Sequence, residues 1–167
     1  MQTQLKSQVC IVGAGPVGLT LAMDLARRGI EVLIVEMRYR SEPPNVKCNH
    51  VSARSMEIFR QLGIAQVIRA AGLPDDYPND VVYKTRFLGK ELSRIKIPNR
   101  LTRYSSTEGP DTNWPTPEPP HRINQIYLEP ILFAEAEKFT GIRILNRTQV
   151  IDFHDQSEGC IIYAKNL

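Results

Sequence analysis

CIVGAGPVGLTLAMDLARRGIEVLIVE, residues 10–36, decides the fold. Gln8 to Val12 is a short apolar run closed by Gly13, the pattern of a strand buried on both faces. Pro16 suits a first helical turn, where its missing N–H costs nothing, and Val17, Leu21 and Leu25 recur at i, i+4 and i+8 as an apolar stripe. Gly29 follows Arg27 and Arg28, cations at the negative end of the helix dipole, and stops the helix. Glu31 to Glu36 (EVLIVE) is a second buried strand. Residues 8–36 therefore read as a βαβ unit.

The turn inside that unit has a chemistry. Gly13, Gly15 and Gly18 fit G-x-G-x-x-G: one glycine for the tight turn, one so that a pyrophosphate can approach bare backbone, one for close helix-to-strand packing. The helix N-terminus adds free N–H groups and a positive dipole end. Glu36 ends the next strand eighteen residues after Gly18, close to the spacing of about 20 for a ribose-binding acid. A carboxylate there accepts from ribose hydroxyls and repels a 2′-phosphate, which disfavours NADP and leaves NAD or FAD.

Beyond Glu36 the regular alternation stops. Residues 37–50, with Pro43 and Pro44, read as a loop; Ser52 caps a helix through Leu62 that stops at Gly63. A shorter helix carries Ile64, Val67, Ile68 and Ala71 and ends at Gly72 and Pro74. Val81 to Leu88 and Leu92 to Ile97 read as a hairpin around Gly89 and Lys90 rather than a second crossover unit. Residues 98–120 are irregular, with five prolines between Pro110 and Pro120. Leu128, Ile131, Leu132, Ala136 and Phe139 then mark a helix that starts near Tyr127 or kinks at Pro130, and ends near Gly141. Ile142 to Leu145, Gln149 to Phe153 and Cys160 to Ala164 read as strands.

A chain of 167 residues suits one domain. With 42% hydrophobic and 23% charged residues it has the composition of a globular protein without a membrane span. A net charge of +3 argues against nucleic acid, and the basic run Arg94, Lys96, Arg100 and Arg103 reads as solvated surface. Cys10, Cys48 and Cys160 form no C-x-x-C pair and no metal-like spacing with His50, His121 or His154; the cysteines read as inert thiols, the histidines as surface residues, and no metal is expected. No export signal is legible, which makes the expected compartment cytoplasmic. Tyr83, Tyr104 and Trp114 read as packing residues.

Three blocks in order, GAGPVGL with ARRGIEVLIVE, then NHVSARSMEIFRQLGIAQVIRAAGLP, then PHRINQIYLEPILFAEAE, resemble the N-terminal FAD-binding part of the class A flavoprotein aromatic hydroxylases, the group of p-hydroxybenzoate, phenol and chlorophenol hydroxylases. The resemblance runs from about Val9 to Ala164. It implies a Rossmann-like α/β core of the glutathione-reductase type with an inserted hairpin, and bound FAD. It also implies NADPH or NADH as external electron donor, and hydroxylation of a small aromatic substrate through a flavin hydroperoxide.

Carried over by residue, the resemblance places Gly13, Ala14, Gly15, Pro16, Val17 and Gly18 at the pyrophosphate turn, Glu36 at the adenosine ribose, and Met37 or Arg38 beside it. Lys47 stands where the family has an arginine on the cofactor phosphates, keeping the charge without the bidentate fork. Gln125 matches the glutamine of the flavin's ribityl region, and Arg122 precedes it. No catalytic residue is assigned. The family's Asp-Gly motif would follow Leu167 and its Gly-Asp motif would lie later, so the chain reads as incomplete relative to the family, inactive by itself, with a C-terminal half or second chain as partner. An NAD-dependent dehydrogenase domain and a non-catalytic remnant stay open as alternatives.

Overall fold

The computed structural model describes residues 4–40, 42–44 and 49–167. In it the opening stretch forms β1 (Val9–Val12), α1 (Pro16–Ala26) and β2 (Val32–Val35), with the two strands parallel and Val9 opposite Val32. There follow β3 (His50–Val51), α2 (Ala53–Gln61), α3 (Ala65–Ala70), the antiparallel hairpin β4 (Val81–Lys84) and β5 (Glu91–Ile95), and β6 (His121–Arg122), which pairs antiparallel with β3. The chain closes with α4 (Gln125–Ala136), β7 (Ile142–Leu145), and a long antiparallel hairpin of β8 (Thr148–Gln156) and β9 (Gly159–Asn166). These elements divide into two compact units, Met1–Val46 with Gln125–Leu167, and Lys47–Asn124.

In the first unit β7 runs parallel to β2, giving the sheet order β1-β2-β7. The alternation that the sequence loses after Glu36 thus resumes: α4 and β7 complete a second crossover, into which the whole second unit is spliced. The fold is α/β with a parallel Rossmann-like core. Val32, Ile34 and Val35 are buried, as a strand with neighbours on both sides requires.

The helices correct two expectations. The buried face of α1 is Leu19, Ala22 and Met23, whereas Val17 is 82% exposed and Leu21 half exposed. This helix is apolar nearly all round, so periodicity alone could not choose a stripe; α1 lies beside α4 and turns Leu19, Ala22 and Met23 inward. On α4 the helix starts at Gln125 and carries Pro130 within it on an exposed position, so the missing N–H falls on the outer side. Leu128, Leu132, Phe133 and Ala136 are buried.

In the second unit Ser52 caps α2 by accepting from the Ser55 N–H at 3.2 Å, as its sequence position requires. The proline-rich segment has neither helix nor strand, yet it is tied down by charge. Arg69 pairs with Glu118 at 2.6 Å with both side chains nearly buried, and also donates to the Pro119 carbonyl. Arg103, expected on the surface, is 4% exposed and donates to the carbonyls of Pro98 and Asp111. His121 is likewise buried rather than superficial, its Nε2 3.1 Å from the Ile68 carbonyl.

Candidate functional site

The turn between β1 and α1 is built by two glycines in different ways. Gly13 has φ +106°, open to glycine and costly for other residues, and its N–H bonds the Val35 carbonyl at 2.8 Å. A Cβ on Gly18 would sit 2.1 Å from the Gly13 carbonyl oxygen, so α1 can close on the turn only without a side chain there. A Cβ on Gly15 would meet nothing within 4 Å, which leaves open space over the backbone at the N-terminus of α1. No side chain caps that end. These are the features of a phosphate cradle.

Glu36 lies at the C-terminal end of β2 with 6% of its surface exposed. Its backbone is fixed on both sides, the N–H donating to Leu145 O at 2.8 Å and the carbonyl accepting from Thr148 N at 2.9 Å. Its carboxylate Oε2 accepts from the Ala14 N–H at 2.6 Å. Oε1 accepts from the Arg38 N–H at 2.9 Å and from Arg38 Nε at 3.2 Å. Burial alone would raise the pKa of Glu36, but the N–H groups of Arg38 and Ala14 and the Arg38 guanidinium hold it below the usual carboxylate range. A carboxylate has about four acceptor positions. Three are filled here, which leaves one acceptor position on Oε2. A second incoming donor would need Arg38 Nε to let go.

Arg38 has somewhere else to go. Its Nη2 donates to Glu129 Oε1 on α4 at 2.5 Å, and Glu129 is itself buried. The other oxygen, Oε2, accepts from Gln125 Nε2 at 3.1 Å, one helical turn back. The glycine turn, Glu36, Arg38, Glu129 and Gln125 thus form one connected network.

Among the residues expected at a cofactor site, the structure joins the turn Gly13–Gly18, Glu36, Arg38 and Gln125. Met37 is 57% exposed, and Arg38 rather than Met37 makes the contact to Glu36. Val17 is exposed at the start of α1. Lys47 and Cys48 lie outside the described residues. Arg122 belongs to the second unit, where it lines a cavity of about 40 Å³ with Arg69, Arg100, Arg103 and His121; its Nε is buried with no hydrogen-bond partner among the described residues. Glu129 was missed. The available signal was a glutamate four residues after Gln125 on a helix otherwise apolar on that side. Among the described residues no group of three or more His, Cys, Asp or Glu side chains is placed to hold a metal ion, and no helix is long and apolar enough to cross a membrane.

The family model described as FAD binding domain matches residues 6–164. The chain belongs to that family. It is 32% identical to a phenol 2-monooxygenase of Pseudomonas sp. (strain EST1001) over 97% of its own length and 26% of that protein's. With aklavinone 12-hydroxylase RdmE of Streptomyces purpurascens it shares 33% identity over 94% of the chain and 29% of the relative. The solved structure of the rebeccamycin biosynthetic enzyme RebC in its substrate-free form superposes with a TM-score of 0.83 at 31% identity, covering 99% of this chain and 30% of that one. The chain therefore spans about a quarter to three tenths of the length of these relatives. It is an FAD-binding domain of the kind found in flavin-dependent aromatic monooxygenases. This decides between the dinucleotides that Glu36 alone left open.

Proposed function

We propose that the first unit holds FAD by its ADP half, with the pyrophosphate over Gly13–Gly18 and the adenosine ribose on Glu36. The observation that carries this is the glycine turn, with open space at Gly15, set against a buried carboxylate that keeps one acceptor position. Arg38 neutralises that carboxylate while it waits for ligand, and Gln125 offers its amide to the flavin side. Lys47 and Arg122, both in the second unit, stay in the proposed cofactor-binding set on the resemblance alone, Lys47 as the counterpart of an arginine that touches the cofactor phosphates.

Bound FAD would supply the redox chemistry, taking electrons from NADPH or NADH and activating oxygen. The chain's own residues hold the adenosine end and keep it fixed, and no acid or base role is part of this proposal. In a whole enzyme of this family the substrate is a small phenolic or aromatic compound, as the names of the relatives suggest, and the reaction is its hydroxylation. The NAD(P)H requirement goes with a cytoplasmic setting, and a C-terminal half or second chain would supply the remaining flavin contacts.

The test is equilibrium titration of the full chain with FAD and with NAD, read by quenching of flavin fluorescence and by dialysis. FAD should be retained and NAD should not. Binding of NAD with no retention of FAD would return the site to the dehydrogenase reading.

A further inference from the structure

Glu129 has no place in the proposed contacts with FAD, yet it joins both ends of the network. It is 6% exposed on α4, and its two oxygens serve different partners: Oε1 takes Arg38 Nη2 at 2.5 Å and Oε2 takes Gln125 Nε2 at 3.1 Å. Each contact has a consequence for a ligand.

The first concerns charge. Arg38 holds Glu36 through Nε and its own backbone N–H, and it holds Glu129 through Nη2. When a second ribose hydroxyl claims Oε1 of Glu36, the guanidinium must release that oxygen. Arg38 is part-buried, a quarter of its side chain exposed, and a part-buried cation released with no second partner would have to be resolvated or left unpaired. Glu129 avoids this, because Arg38 stays paired throughout. The second consequence concerns polarity. An ionised carboxylate only accepts, so Gln125 must turn its NH₂ toward Glu129. Its carbonyl oxygen is thereby left as an acceptor for a hydroxyl donor, which a ribityl chain provides.

We infer that Glu129 is a positioning residue for FAD: it anchors Arg38 while the ribose takes Glu36, and it fixes the Gln125 amide with its carbonyl toward the ligand. It touches no cofactor atom itself. This rests on the reading of the first unit as the FAD site.

The experiment uses the full chain, with FAD and ADP as separate probes, in the wild type, Glu129→Gln, Arg38→Met and the double variant, below the unfolding midpoint of each. Glu129→Gln should weaken FAD binding about tenfold or more, and ADP binding by a smaller factor. In the Arg38→Met background the same change should leave ADP affinity within about twofold, since there is no arginine to anchor, while the FAD loss through Gln125 persists. A structural role alone would lower the midpoint and leave these affinities unmoved. Should Glu129→Gln not fold, Glu129→Asp keeps the charge, draws it back by one methylene, and carries the same expectations at smaller size. Equal FAD affinity in wild type and variant overturns the inference, as does an ADP loss of the same factor in both Arg38 backgrounds. A wild type that binds neither FAD nor ADP overturns the site reading, and this inference with it.

Discussion

Both units set a part-buried arginine against a buried glutamate, and the two pairs are finished differently. In the second unit Arg69 gives Nε and Nη2 to one oxygen of Glu118 and a further hydrogen bond from Nη2 to the Pro119 carbonyl, so the pair is tied to the backbone of the proline-rich segment. In the first unit Arg38 bridges two glutamates, one of which also takes a backbone N–H from the glycine turn and keeps an acceptor position. The closed pair, as we call Arg69–Glu118, pins a loop. The other, beside bare backbone at a helix N-terminus, is where we propose the ligand.

The closed pair should give the largest effect on stability. Arg69→Met leaves Glu118 buried without its cation, which costs about 3 to 5 kcal/mol. That corresponds to a fall of roughly 10 °C in the unfolding midpoint for a chain of this size. Calorimetry should show that fall, with FAD affinity unchanged at temperatures where the variant is folded. A loss of FAD affinity equal to that of the Glu36 variant described below would break the division between structural and ligand-facing pairs.

The next effect is in pH. Burial, with the Arg69 charge behind it, pushes the pKa of His121 down to about 4 from an ordinary value near 6.5. The folded state thus resists a proton that the unfolded chain accepts. Its contribution is complete above about pH 6.5 and is lost as pH falls toward 4, about 3 kcal/mol in all. The Glu36 carboxylate behaves in the opposite range: its lowered pKa gives stability above the ordinary carboxylate value that is lost only in more acid solution. Unfolding midpoints between pH 7 and 4 should fall in the wild type and flatten in His121→Gln. A parallel slope in both would show that another group carries the loss.

How much of this the sequence shows differs between the units for a physical reason. The βαβ unit, its glycines and Glu36 are legible because each is a local constraint: a turn, a close approach, a carboxylate at a strand end. Ser52 and the hairpin around Gly89 are legible on the same ground. The stripe on α1 is not, because an all-round apolar helix has no preferred face until α4 lies beside it. The buried places of Arg103 and His121 depend on partners such as the carbonyls of Pro98 and Ile68, which no spacing reveals. Glu129 is the instructive case. One turn from Gln125 is readable, but Arg38 is 91 positions away and only the return of β7 beside β2 brings them together.

The smallest energetic effect is the most direct test. Glu36→Ala removes the ribose acceptor and should weaken FAD by about tenfold or more, on the order of 1.4 kcal/mol. If the first unit takes the ADP half, ADP must displace FAD completely, and Glu36→Ala must weaken ADP and FAD by the same factor. Competition titration on the full chain measures both quantities at once. Displacement with matched losses is the expected result. FAD that ADP does not displace, or a Glu36→Ala chain that binds FAD as the wild type does, would contradict the assignment.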